Sequence, residues 1–269
     1  MKFICGLLLL VISATHVSAG TLAEMRHLGQ VSFCLNPDAM PYSQRDGNDK
    51  ISGNGFLFEI STELIRRMGM TSRVVWLNSL ERLNKTDCDL VPSALVEEKE
   101  LISQNEKIKK DADKTYGRLF TKPYSHVTGF LVSKSKEFND LESLKKTHVA
   151  VPSGSYAQVL LNQKEIPVWV RFLTDEDIVV AVKDNEAGAG LVTSVGFEWY
   201  KFVNGDPGLV QLDIDVDEFE VDSDIGMMLR SSDAQAIQLV NEKLDQMLKD
   251  SFISKSMKKY GISHSKPSF

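Results

Sequence analysis

The stretch VSFCLNPDAMPYSQRDGNDKISGNGFLFEISTELIRRM, residues 31–68, passes from one periodicity to another and so decides the fold class. Val31 to Leu35 is a short, mostly apolar run closed by Asn36-Pro37, which reads as a strand and its exit turn. From Phe56 the apolar positions fall at Phe56, Ile60, Leu64, Ile65 and Met68, the spacing of one helical face, and Gly69 stands where a C-terminal cap belongs. The alternation continues outward. Arg73 to Leu77 reads as a second strand and Cys88 to Val91 as a third, ending at Pro92-Ser93. A chain that alternates in this way between strand-like and helical runs is α/β.

A second unit of the same kind begins beyond Pro123-Tyr124. Thr128 to Val132 and His148 to Val151 read as strands, and Ser153-Gly154-Ser155 opens a helix that runs through Leu161. Val168 to Phe172 is a strand, Asp175 to Asp184 a helix and Ala189 to Val192 a strand. Asp224 to Arg230 makes one more strand before two C-terminal helices, Ala234 to Leu248 and Phe252 to Tyr260. The segment from Glu97 to Thr115 is polar and lysine-rich with no clear apolar stripe, and it reads as a mobile or partly helical insertion near a cleft rim.

The N-terminus carries one basic residue, Lys2, then an apolar run from Phe3 to Ile12 and the small-residue string Val17-Ser18-Ala19, which is the order of a secretory leader. The run is about half the roughly twenty residues a membrane span requires. Cleavage near Ala19 gives a mature chain starting at Gly20, destined for the periplasm, with no membrane insertion once residues 1–19 are removed. Cys5 leaves with the leader. Cys34 and Cys88 remain, and an even pair in an oxidising compartment points to a disulfide, the alternative being two unrelated buried thiols.

The 31 basic and 37 acidic side chains give a formal charge of −6, and no Lys/Arg stripe with interleaved aromatics occurs, which argues against nucleic-acid binding. His27, His126, His148 and His264 show no metal-ligand spacing, and no nucleophile elbow or Cys-x-x-Cys is present. Neither a metal nor a cofactor is expected, and the chain is read as a monomer and not an enzyme.

Taken in order over some two hundred residues, several local strings resemble family 3 of the bacterial solute-binding proteins. They are Val31 to Leu35, Pro41-Tyr42, Gly55-Phe56 with Glu59, Asp89-Leu90-Val91, Phe120 to Tyr124, Val149 to Ser155 and Lys259 to Ile262. The resemblance implies a periplasmic binding protein of type 2-like fold: two α/β lobes, two hinge crossovers and a central cleft holding a small polar solute. Lobe 1 would comprise residues 20–126 plus 227–269, and lobe 2 residues 127–226. The implied partner is the membrane permease of an ABC importer.

That family's amino-acid clamp departs from its pattern here. The arginine expected after the Asp89-led strand is missing from Ser93 to Leu101, Lys99 and Arg118 being the nearest cations, and Thr193-Ser194 stand where an aspartate holds the ligand amine. A subset of the family, the J-type proteins associated with quinoprotein methanol dehydrogenases, resembles the Cys34-to-Asp38 and Asp87-to-Val91 strings. It implies a periplasmic accessory docking on a dehydrogenase as the alternative role. A third role, a dehydratase-like enzyme, would nominate Glu59 as its acid, although a charge at a helix start is the simpler account. The ligand-contact residues implied by loop position are Tyr42, Trp76, Ser93, Ala94, Ser153, Gly154, Ser155, Tyr156 and Thr193. Tyr124 is a further aromatic candidate, whereas Trp169 and Trp199 are read as packing.

Overall fold

A computed structural model describes residues 20–47, 49–78, 86, 88–215 and 222–269. The leader, its cleavage site and Cys5 lie outside the described residues. The first unit runs α1 (Leu22–Leu28), β1 (Gln30–Leu35), the short strands β2 (Asp38–Ala39), β3 (Ser43–Arg45) and β4 (Gly53–Asn54), then α2 (Phe56–Arg67), β5 (Thr71–Trp76), β6 (Leu90–Leu95), α3 (Glu98–Lys110), β7 (Tyr116–Phe120) and β8 (Ser125–Val127). The second follows with β9 (Gly129–Ser133), β10 (Val149–Pro152), α4 (Tyr156–Gln163), β11 (Val168–Phe172), α5 (Asp175–Lys183), β12 (Ala189–Thr193), α6 (Ser194–Asn204) and β13 (Val210–Gln211). The chain then returns through β14 (Ser223–Ser232), α7 (Ala234–Lys249) and α8 (Phe252–Lys258).

Two mixed sheets result, one in each α/β lobe. The first has the order β5-β1-β6-β14-β7, with β8 paired to β14, and the second the order β11-β10-β12-β9-β13. Strand β1 lies parallel between β5 and β6 and is buried at every position from Val31 to Leu35, as expected of a strand covered on both faces. Helix α2 buries Phe56, Leu57, Ile60, Leu64 and Ile65 in a core shared with β1, β14, α7 and α8. Gly69, at φ +78°, turns the chain out of α2, and the bonds Gly69 N to Arg66 O and Met70 N to Ile65 O satisfy its last carbonyls. The second sheet carries a separate hydrophobic cluster on each face.

The two sheets are joined by strands that pair with one another. Ser125, His126 and Val127 of β8 lie antiparallel to Ile225, Asp224 and Ser223 of β14, and β9 begins two residues later in the other sheet. The Gly129 N–H donates to Asp222 Oδ1 at 2.9 Å, beside the start of β14. The C-terminal tail lies across this junction. Ser263 N donates to Glu198 Oε2 on α6 at 2.6 Å. His264 Nε2 meets Tyr124 O at 2.8 Å, and His126 N donates to Ser265 O at 3.0 Å. Ser268 places both its N–H and its hydroxyl on Asp224, which also bonds His126 Nδ1.

One local expectation is corrected and one open alternative is decided. The strand expected to stop at Pro92-Ser93 continues to Leu95, because the pairing with β14 shifts register between Gly226 and Met228 and so accommodates a proline that has no N–H to give. The segment read as mobile or partly helical is partly helical: it holds the regular 13-residue helix α3, and β7 follows it. Its acidic first turn and basic last turn suit the helix dipole. Its one buried residue, Gln104, bonds both the N–H and the carbonyl of Phe120 on the edge strand β7, at 2.7 and 2.9 Å. A polar anchor of this kind leaves no apolar stripe to read.

Candidate functional site

Tyr42 sits in the turn between β2 and β3, and the backbone of α2 holds that turn in place. Phe56 N and Leu57 N donate to Pro41 O and Tyr42 O, each at 3.0 Å, so two otherwise unmatched donors of the helix start position the tyrosine. Gly55 precedes them at φ +104°, where an added Cβ would fall within 2.5–2.6 Å of the Tyr42 carbonyl group and Ser43 Cα. The Gly55 N–H donates to the Tyr260 hydroxyl, which in turn donates to Glu59. Glu59 also receives Ser256 Oγ and Lys259 Nζ at 2.7 and 2.8 Å. Burial works to raise the Glu59 carboxyl, yet these bonds together bring it below its ordinary range. Its oxygens are thereby engaged in joining α2 to α8.

Tyr42, Leu57 and Ser93 stand between two cavities. One, of about 270 Å³, opens at the carboxyl ends of the first-sheet strands and is walled by Leu35, Leu57, Leu77, Val91 and Pro92 together with Cys34, Asn36 and Ser43. The disulfide between Cys34 and Cys88, with a Cα–Cα distance of 5.7 Å, links the end of β1 to the approach to β6 beside this chamber. The second cavity, of about 230 Å³, lies at the junction of the sheets. Its walls are Phe56, Leu57, Leu95, Val127, Val195, Ile225 and Met257, and its polar side chains are the hydroxyls of Tyr42, Ser93, Tyr124, Ser125, Thr193 and Ser223. The residues lining the two cavities include no ionisable base or carboxylate.

A carboxylate stands directly behind the second cavity. Thr193, the N-cap of α6, donates its hydroxyl to Asp175 Oδ2 and its N–H to the same oxygen at 3.3 Å. The Thr193 oxygen accepts from Gly196 N at 3.1 Å. Crowding by the surrounding protein raises the Asp175 carboxyl above its ordinary range, against the lowering effect of the two Thr193 bonds. Burial, reinforced by the charge of Asp175, also raises Tyr42. Tyr124 is fully buried, raised by burial, and donates its hydroxyl to Pro92 O at 2.7 Å.

Of the residues implied by loop position, Tyr42, Ser93 and Thr193 therefore come together around one cavity. Ala94 is half-buried beside the disulfide cluster and lines neither cavity. Trp76 stacks on Phe58, with ring centroids 6.2 Å apart, and packs over Gly53. Ser153, Gly154, Ser155 and Tyr156 stand outside both cavities, Tyr156 being half exposed. Their polar groups are engaged locally: Ser155 Oγ caps α4 by accepting from Gln158 N, and Gly154 N donates to Gln158 Oε1 at 3.0 Å. Lys99 pairs with Glu97 and, like Arg118, lines neither cavity. Sequence reasoning missed Ser125 and Asp175. Ser125 is 3% exposed with no hydrogen-bond partner for its hydroxyl. Asp175 follows the N-cap Thr174 and reads as an ordinary acidic helix start, so its approach to α6 carries no sequence signal.

No protein-family model and no curated protein matches the chain by sequence. Solved structures do. An ancestral cationic amino acid solute-binding protein matches with a TM-score of 0.65 at 19% identity, over 89% of this chain and 98% of that one. It is also described as an amino-acid-binding precursor of cyclohexadienyl dehydratase. A mutant of ArgBP from T. maritima matches with a TM-score of 0.59 at 21% identity, covering 88% and 97% of the two chains. A substrate-binding protein of an amino acid ABC transporter from Streptococcus pneumoniae, bound to L-arginine, matches with a TM-score of 0.63 at 14% identity, covering 91% and 98%. Across identities this low the shared property is the fold, and this chain has the two-lobe fold of those proteins.

Proposed function

We propose that the chain is an exported solute-capture protein that binds a small molecule between its lobes and presents the closed form to a membrane importer. The lobes divide at 126/127 and 226/227, along the crossover strands β8 and β14. The observation that carries the reading is the cavity at the sheet junction, where Tyr42 and Ser93 of one lobe face Thr193 of the other. A ligand touching both sides favours the closed arrangement by its differential contacts. Ser153 to Tyr156 then act as a rim of the second lobe, with Trp76 and Ala94 supporting the first. Importer delivery is favoured over dehydrogenase docking because the solved structures that share the fold include a transporter's substrate-binding protein. Binding without catalysis fits Glu59, whose oxygens are taken up in packing.

The test is small-angle scattering of the mature chain, residues 20–269, against a metabolite library. At least one compound is expected to reduce the radius of gyration, and Tyr42→Ala is expected to abolish that compaction. Compaction by no compound, or compaction unchanged in the variant, rejects the reading.

A further inference from the structure

We propose that the C-terminal segment 261–268 is a clasp that restrains how the two lobes move about their crossover strands, a property of the fold that holds whatever the ligand. Side chains alternate between the two faces of a strand, and the β8–β14 ribbon pairs Ser125 with Ile225, His126 with Asp224 and Val127 with Ser223. The first and last of these pairs line the junction cavity, whereas His126 and Asp224 do not. Those two therefore mark the face of the ribbon turned away from the cavity. It is Asp224, on that outer face, that receives the N–H and the hydroxyl of Ser268.

The same short segment is fastened to three bodies. In the first lobe, Ile262 is buried in the core shared with α2, α7 and α8, and the preceding Tyr260 is held by Gly55 N and Glu59. In the second lobe the partner is α6. Ser263 N donates to Glu198 Oε2 at 2.6 Å, and the Tyr260 ring lies 6.4 Å from that of Trp199. Gly261, at φ +74°, lies so close to α6 that an added Cβ would fall 2.5–2.6 Å from Phe202 side-chain atoms, so glycine lets the segment lie flush on that helix. The third body is the ribbon itself, where His264 Nε2 donates to Tyr124 O at 2.8 Å and Ser265 forms an antiparallel bridge with His126.

Lobes that turn about a hinge do so through backbone changes confined to a few crossover residues. Here those residues carry an additional stretch of chain that is also bonded to a helix of the second lobe. Rotation of the lobes must therefore break or stretch the attachment at Glu198 or the attachments along the ribbon. None of the residues 261–268 lines either cavity, so the restraint acts without touching a ligand. Ser263, Ser265 and Ser268 are exposed, and exposed hydrogen bonds of this kind belong to the part of a structure that opens most readily. Such a clasp can let go while both lobes stay folded.

The experiment is a pulsed electron-resonance distance measurement on the mature chain without ligand, with spin labels on Lys183→Cys in α5 and Lys249→Cys at the end of α7, two exposed positions, one in each lobe. Removal of residues 263–269 keeps Ile262 in its core and is expected to broaden or displace the distribution of distances between the lobes. The double variant Glu198→Ala, Ser268→Ala cuts the attachment to α6 and weakens that to the ribbon in a chain of full length. It is expected to change the distribution in the same sense and to a smaller extent, and it decides the matter if the shortened chain does not fold. A distribution unchanged in width and centre in a folded variant overturns the proposal. The scattering screen tests capture separately. Ligand-induced compaction with an unchanged distribution would remove the clasp and leave capture standing, and a changed distribution with compaction by no compound would do the reverse.

Discussion

Gly196 owes its identity to a neighbour on another helix. A Cβ at that position would lie 2.0 Å from Asp175 Oδ2 and 2.3 Å from Asp175 Cβ. An alanine there must therefore displace the carboxylate from Thr193 or shift the start of α6. Gly196→Ala is expected to lower stability by about 1–3 kcal/mol, the usual range for overpacking a filled site, and to reduce ligand-induced compaction in parallel. Thermal melts and scattering on the same preparation check both, and a variant with wild-type stability and compaction would show that Asp175 does not hold the site. At this scale the sequence is legible only in part. Tyr42, Ser93 and Thr193 stand at recognisable turns and strand ends, so their meeting could be read from loop order. Asp175 and Ser125 could not. One looks like any helix-starting acid and the other like any strand serine, and each acquires its meaning from an element distant in the chain.

The elements that read clearly are those whose pattern comes from packing against apolar neighbours. Helix α2 has a stripe because β1, α7 and α8 cover it, and β1 is a continuous apolar run because both its faces are covered. Helix α3 has none because a single side-chain amide, Gln104, attaches it to β7. Helix α6 is not legible from the sequence in the same way: Thr193-Ser194 follow a strand and stand where an aspartate is expected, whereas Thr193 is the cap from which that helix starts. Between elements, the Cys34–Cys88 bridge closes a separation of 54 residues. In the chain-entropy model a loop of that length corresponds to about 4 kcal/mol of stabilisation. Cys34→Ser with Cys88→Ser is expected to lower the unfolding free energy by up to that amount in denaturant titrations. An equal midpoint for the variant and the oxidised wild type would refute the contribution.

At the scale of the whole molecule the C-terminal tail decides how the junction responds to acid. Burial works to raise the Asp224 carboxyl, but the bonds from Ser268 and His126 together bring it below its ordinary range. A carboxyl lowered in the folded state contributes stability that is fully present above its unfolded pKa of roughly 3.9. That contribution fades as the pH falls through the lower folded value. Asp224→Asn is therefore expected to destabilise the protein at neutral pH and to converge with wild type in strong acid. Melting temperatures collected from about pH 7 down to pH 3 check this, and a constant gap across the series would assign the role of Asp224 to shape alone.

The position of β14 also has a consequence for biogenesis. It pairs with β6, β7 and β8 inside the first sheet, yet it is made after every strand of the second. As a chain emerges N-terminus first, the first sheet stays divided until residue 232 has emerged, whereas the second has all its strands by residue 211. The inserted lobe is thus free to fold ahead of the lobe that encloses it in sequence, and the outer lobe must wait for long-range pairing. Truncation anywhere between the two points would release an intact second sheet beside a first sheet with unpaired strand edges, a species that proteases and chaperones would meet before any ligand does.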